Sequence, residues 1–160
     1  MKKTIFSAIC ATAMLFGATS VLADAKPRPS KPASAQQIAN KFVGHMQVWK
    51  SCKGGIYFGG NWEATAYCDQ NKKSVAVGKW TSKGGKLCYD VNWYFVKDNK
   101  LTTKNRAKCE LEFVTDKDGQ LWHRWGDDKD WWRGFPKDKS FPKGNKYKRQ
   151  TATQRGKLGI

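Results

Sequence analysis

The sequence predicts a mainly β fold: a compact antiparallel sheet or small barrel-like meander, with one short N-terminal helix and stapling disulfides. From residue 46 onward, short aromatic-rich runs alternate with turns rich in Gly, Asn and Asp. Their spacing of about 8–12 residues is typical of an antiparallel meander. Four cysteines, Cys52, Cys68, Cys88 and Cys109, lie in the same region, and an even set in a small domain indicates structural disulfides.

The first 23 residues have the pattern of a bacterial Sec-type signal peptide. Lys2 and Lys3 precede an uncharged stretch, and Val21 and Ala23 supply the small residues that signal peptidase requires. A membrane anchor is the alternative, but Ser, Thr and Gly dilute a run already short for the roughly 20 residues that cross a bilayer. We therefore expect a periplasmic or secreted chain with no transmembrane segment after cleavage.

Because the chain is predicted to be exported, its net positive charge has to be interpreted for an extracytoplasmic protein. A formal net charge of +17 favours polyanionic partners, and in an exported chain these are envelope polymers or lipid headgroups. We expect no physiological nucleic-acid partner. The length left after cleavage suits one small domain, for which we expect a monomer.

Residues 24–33 are predicted to be a linker, because residues 26–32 contain three prolines and three basic residues. The domain proper is predicted to span residues 34–135. Ser34 with Gln37 has the pattern of a capping box, and apolar residues at helical spacing follow up to Gly44. A helix over residues 35–43 is therefore expected. The strands predicted after it are 46–51, 55–58, 62–68, 74–80, 86–95, 103–115, 120–125 and 131–135.

Strand alternation is clearest in residues 86–95. Leu87, Tyr89, Val91, Trp93 and Phe95 are predicted to share one face of the sheet. The hairpin order also favours local disulfides, Cys52–Cys68 and Cys88–Cys109, each closing a loop of about 16–20 residues that is worth roughly 3 kcal/mol. A crossed pairing remains the alternative. Cys10 lies in the signal peptide, and a lipoprotein signal at that residue is less favoured.

The strand region resembles a known family. The matching features are Trp49, Gly55-Ile56-Tyr57-Phe58, Val77-Gly78-Lys79-Trp80, Gly85-Lys86-Leu87-Cys88-Tyr89, Cys109, Asp118-Gly119 and Trp131-Trp132. Together they resemble the proteobacterial family called domain of unknown function 995, over about residues 34–135. The resemblance implies a small exported protein with a compact antiparallel barrel or sheet, and it brings no catalytic residues. It also implies that the cysteine pair Cys52 and Cys68 and the basic C-terminal tail are additions to the family pattern.

A cluster of aromatic and basic residues near the end of the domain is the candidate binding surface. Tryptophan faces stack on sugar rings, and arginine binds carboxylate or phosphate in bidentate fashion. Core packing of the tryptophans is the competing interpretation. The ligand-binding candidates are Trp122, Arg124, Trp125, Trp131, Trp132 and Arg133.

Residues 136–160 lose the apolar pattern and are predicted to form a mobile, polyanion-binding tail. Its basic residues are Lys137, Lys139, Lys143, Lys146, Lys148, Arg149, Arg155 and Lys157.

Catalytic and metal signatures are weak. His45 and His123 are the two histidines, and neither has a sequence pattern of a triad. Asp116 and Asp118 resemble the start of a calcium loop, but the remaining ligand spacing is missing, so a hairpin turn is the better interpretation. We expect no catalytic residue, no metal and no cofactor.

The predicted function is that of an exported, non-enzymatic envelope protein that binds an acidic polymer, which is a polysaccharide, peptidoglycan or lipid headgroups. A lipocalin-like carrier of a small apolar ligand is one alternative, and it requires a closed cavity lined by residues such as Trp93 and Phe95. An envelope polysaccharide-modifying enzyme is another, and it requires a pocket where His123 meets a carboxylate. A purely structural protein without a ligand is the last.

Overall fold

The computed structural model describes residues 25–70, 73–126, 128–135, 139 and 141–160. The predicted signal peptide and Lys137 lie outside these residues. Most of the described chain forms one antiparallel sheet that is curled into a half-barrel, as the sequence predicts. The strands are β1 (Ser30–Pro32), β2 (His45–Trp49), β3 (Gly54–Phe58), β4 (Glu63–Cys68), β5 (Ser74–Lys83), β6 (Lys86–Lys97), β7 (Lys100–Asp116), β8 (Leu121–Trp125) and β9 (Trp132–Arg133).

The sheet is a meander in which β2 to β9 pair in chain order. β1 pairs with the end of β7, where β6 no longer covers it, and Pro32 lies opposite Val114. Proline is compatible with such a short edge strand because its missing N–H can face away from the ladder. The region predicted to be a linker therefore contains a strand, and Ala33 behind it is buried.

Helix α1 (Ala35–Phe42) closes one end of the half-barrel. Its capping box is formed, with the Ser34 hydroxyl accepting from the Gln37 amide and the Gln37 side chain accepting from the Ser34 amide. Phe42 is fully buried and makes edge-to-face contacts with four other phenylalanine rings. Gly44 follows with a φ of +79°, a conformation that glycine adopts without strain.

The concave face of the sheet holds the core. The predicted alternation in β6 is confirmed for Leu87, Tyr89 and Val91, which are buried, whereas Trp93 is half-buried farther along the strand. Trp80 lies at the centre, and its indole N–H donates to the Gly59 carbonyl at 2.9 Å. The core therefore fills one end of the half-barrel and thins toward the far end of β6.

Both predicted disulfides are confirmed. Cys88 and Cys109 lie opposite each other on β6 and β7. Cys52 follows β2 and bonds Cys68 at the end of β4. Each bridge therefore ties together segments of the sheet that are close in sequence.

The C-terminal segment differs from the mobile tail that its composition predicts. Phe141 lies in the core beside Phe42, and Tyr147 stacks on Tyr67 with ring centroids 5.6 Å apart. Helix α2 (Lys148–Leu158) then packs against β4, β5 and β6, with Thr151 buried. Two aromatic anchors thus order a segment whose other residues are mostly polar. None of the described helices is long and apolar enough to cross a membrane.

Candidate functional site

An open groove lies on the concave face, where the core thins between the β6–β7 hairpin and the end of β4. Its volume is about 650 Å³. Trp93 and Phe95 form its apolar wall, and Lys104 and Arg106 supply positive charge. The remaining lining residues are Cys68, Gln70, Ser74 and Asn105. Lysine and arginine are thus the charged side chains along this stretch.

A second cleft of about 300 Å³ continues the groove toward β2. The two clefts share Cys68, Trp93 and Arg106 in their walls. Trp49 lies across from Trp93, with ring centroids 6.2 Å apart. We call the two clefts together the concave groove.

Strand register brings the aromatic and the basic residues together. Trp93 lies opposite Lys104, and Val91 lies opposite Arg106, in the β6–β7 ladder. Directly opposite residues project to the same face of a sheet. The concave groove therefore combines an aromatic row on β6 with a basic row on β7.

The inner end of the groove contains a hydrogen-bonded acid. Glu110 is the extra residue of a bulge, because Cys88 pairs with Cys109 while Leu87 pairs with Leu111. The Tyr89 hydroxyl donates to Glu110 Oε1 at 2.9 Å, and Lys108 Nζ lies 3.2 Å from the same oxygen. Among the described atoms, Glu110 Oε2 is buried without a hydrogen-bond partner.

This environment changes the ionisation of Tyr89. Burial raises the pKa of Tyr89 far above its usual range, and the neighbouring Glu110 carboxylate raises it further, while Arg106 opposes the shift. The Tyr89 hydroxyl at the inner end of the groove is thus neutral, and it donates its hydrogen bond to Glu110.

The six residues predicted as a binding surface do not form one surface. Trp122, Arg124 and Arg133 project from one face, while Trp125 and Trp132 project from the other. Trp125 packs against Phe141 of the core.

Three of the six, Trp122, Arg124 and Trp131, contact other protein groups. Trp131 is only 2% exposed, and the Arg124 guanidinium lies 5.2 Å from the centre of its ring. Arg124 also donates from Nε and Nη2 to a single oxygen of Glu112, Oε2, at 2.9 and 2.5 Å. The Trp122 indole donates to Asp116.

The histidines lie away from the lining of the concave groove. His123 is buried, with Nδ1 2.7 Å from the Gly134 carbonyl oxygen. His45 lies near the Val43 carbonyl, with Nδ1 3.3 Å from that oxygen. Neither residue therefore meets a carboxylate in that groove.

The Asp116 turn is a hairpin, as the sequence favours. The Asp116 carboxylate accepts hydrogen bonds from the amides of Asp118 and Gln120 and from the Trp122 indole. These donors lower the pKa of Asp116, the Trp122 bond most of all. Across the described residues, no group of three or more His, Cys, Asp or Glu side chains is arranged to hold a metal ion.

Sequence reasoning named Trp93 and Phe95 only as walls of a closed cavity, and it missed Lys104 and Arg106. The available signal was the alternation of Lys104, Arg106 and Lys108, which matches the alternation of Tyr89, Trp93 and Phe95.

Fold and groove together define a small, disulfide-stapled antiparallel β protein with an open aromatic and basic groove. The chain belongs to the DUF995 family, described as proteins of unknown function, whose match covers residues 8–153. This match reaches into α2, so the prediction that the tail lies outside the family pattern is wrong. No curated protein and no solved structure shows a significant match.

Proposed function

We propose that this protein is a non-enzymatic module that binds an acidic polysaccharide in the concave groove. The observation that carries the proposal is that Trp93 and Phe95 line one open groove together with Lys104 and Arg106. The aromatic faces stack on sugar rings, and the two cations bind carboxylate groups on those rings.

The shape of the groove favours a polymer over an enclosed small ligand. The interior at the α1 end is filled by Phe42, Phe58, Trp80 and Phe113, whereas the groove is open to solvent. An open groove allows a chain to continue beyond the contacted rings. A carrier of a small apolar molecule needs a cavity that removes most of the ligand surface from water.

The charge within the groove suggests an orientation for the ligand. Lys104 and Arg106 attract an acidic group at the outer end, while Glu110 disfavours one at the inner end. The neutral, hydroxyl-bearing part of a sugar therefore suits the inner end, near Trp49 and Tyr89.

The basic residues of α2 add long-range attraction. Lys148, Arg149, Arg155 and Lys157 are all exposed, and a positive surface raises the local concentration of a polyanion. They lie on the opposite face of the sheet from the groove, since α2 packs on the side where Tyr67 projects.

We also propose that residues 1–23 direct export and are then removed. The two disulfides support an oxidising compartment. Mass spectrometry of the chain recovered from cell fractions tests this, and an uncleaved chain in the cytoplasm would contradict it.

Titration calorimetry with oligogalacturonate, and with its methyl ester as the uncharged match, tests the binding proposal. We expect the acid to bind and the ester to bind at least tenfold more weakly. Trp93→Leu keeps apolar volume but removes the flat ring, and Lys104→Gln removes one charge. Each should weaken binding about tenfold, which corresponds to about 1.4 kcal/mol.

Trp132→Ala is the matched aromatic control, because Trp132 lies outside the groove. Loss of binding in Trp132→Ala but not in Trp93→Leu would move the site to the cluster first predicted from the sequence. Equal binding of the acid and the ester would contradict the charge recognition.

A further inference from the structure

Strand β7 has a long edge on which none of the described strands lies. β6 pairs with β7 on one side from Lys100 to Glu112. On the other side β8 pairs only with Leu111–Thr115, and the Gly126 amide bonds the Glu110 carbonyl at 2.8 Å. Among the described strands, none pairs with residues 100–109 on that side. We call residues 100–109 the open edge.

The open edge is accessible to a partner. Every residue from Thr103 to Cys109 is exposed. In an extended strand, alternate residues direct their backbone N–H and C=O groups to the unpaired side. Those groups can hydrogen-bond to another extended chain, as in recognition by strand addition.

The side chains on the open edge are charged on one face only. Lys104, Arg106 and Lys108 project to the concave face, and the residues between them, Asn105 and Ala107, carry no charge. Cations at every second position match a strand that carries carboxylates at every second position, because directly opposite side chains interact across a ladder.

We propose that the open edge binds an extended acidic polypeptide segment, which adds to the sheet as a further strand beside β7. Alternate Glu or Asp side chains of this segment face Lys104 and Arg106, while Lys108 is already paired with Glu110. The same charges disfavour a second copy of this chain, because two copies of the edge would bring like charges together. The acidic segment and the polysaccharide share Lys104 and Arg106 and therefore compete for them, but only the segment forms a peptide ladder with β7.

Fluorescence anisotropy with the mature protein and three labelled peptides tests this proposal. One peptide alternates Glu and Thr, one has the same composition with its Glu residues in a block, and one alternates Glu and Thr but is N-methylated at alternate amides. We expect the alternating peptide to bind at least tenfold more tightly than the other two. Equal binding of all three would reduce the effect to charge attraction and overturn the proposal.

Two variants and an exchange measurement complete the test. Lys104→Gln with Arg106→Gln should weaken binding of the alternating peptide at least tenfold. Lys83→Gln with Lys86→Gln, which lie on either side of the β5–β6 turn, should not. Trp93→Leu should spare peptide binding while it weakens glycan binding. The peptide should also slow amide hydrogen exchange at residues 101–109. Unchanged exchange there, or protection that depends on protein concentration alone, would overturn strand addition.

Discussion

Asp116 stabilises the β7–β8 hairpin through a single carboxylate. Its oxygens accept from two turn amides and from the Trp122 indole, and the charge strengthens all three bonds. The side chain therefore links a turn to a strand, and a metal ion there would have to displace these donors.

Replacing Asp116 with Asn should lower stability at neutral pH and have no effect in strong acid. The folded-state pKa lies below the ordinary value, chiefly because of the Trp122 bond. The stabilisation is therefore present above the unfolded-state pKa of about 3.9 and is lost as the pH falls through the lower, folded-state pKa.

Urea midpoints across the acid range check this prediction. Asp118→Asn is the matched control, because Asp118 is exposed in the same turn. A stability difference between Asp116→Asn and the parent protein that persists in strong acid would show that the charge is not responsible.

Tyr89 matters because it provides the hydroxyl bond to Glu110. Tyr89→Phe removes the donor at 2.9 Å and leaves that carboxylate with its ion pair to Lys108. We expect a loss of about 1–3 kcal/mol, since the hydrogen bond has a charged acceptor. Tyr94→Phe, on the outer face of the same strand, is the control in denaturant unfolding. Equal midpoints for the two variants would contradict the assigned role.

Helix α1 closes its end of the half-barrel with three buried side chains, Ile38, Ala39 and Phe42, of which Phe42 is the largest. Phe42 contacts rings from β3, β7 and the C-terminal segment. Phe42→Ala should therefore cost about 3–5 kcal/mol, because the surrounding rings cannot all collapse into the space.

The neighbouring Val43→Ala provides the control, since Val43 is 46% exposed and should change stability by less than about 0.5 kcal/mol. If Phe42→Ala does not fold, Phe42→Leu should still show a measurable loss in thermal unfolding. If the Phe42 variants lose no more stability than Val43→Ala, packing of α1 against the end of the half-barrel does not stabilise the fold.

Local signals predicted the elements well because they depend on short-range chemistry. The Ser34 capping box, the β6 alternation and both disulfide pairs follow from residues close in sequence. The turn at Asp98 and Asn99 has positive φ at both residues, as a type I′ hairpin turn requires. It sets the register that brings Lys104 beside Trp93.

The site itself depended on long-range packing that no local pattern contains. Trp122 and Trp132 are close in sequence, but strand alternation sends them to different faces. The C-terminal segment is polar by composition, yet Phe141 and Tyr147 each meet a partner more than 70 residues away. The opening of the concave groove likewise follows from how the whole sheet curls.

The two basic surfaces of the molecule lie on opposite faces of one sheet. Lys104 and Arg106 line the concave groove, whereas α2 covers the outer face. A ligand in the groove is thus separated from the α2 charges by the sheet, and those charges act through the field alone. Such a field raises the rate of association and falls steeply with ionic strength.

Association and dissociation rates should therefore separate the two surfaces. Changing Lys148, Arg149, Arg155 and Lys157 together to Gln should slow association of oligogalacturonate severalfold at low salt and leave its dissociation rate unchanged. Trp93→Leu should leave the association rate unchanged and speed dissociation, because the lost stacking contact forms only in the complex. Stopped-flow fluorescence at several salt concentrations measures both rates, and the α2 effect should vanish near 1 M salt, where screening acts within about 3 Å. Faster dissociation from the α2 variant would mean instead that the ligand contacts both faces of the sheet, which requires a polymer that wraps around the open edge of β7.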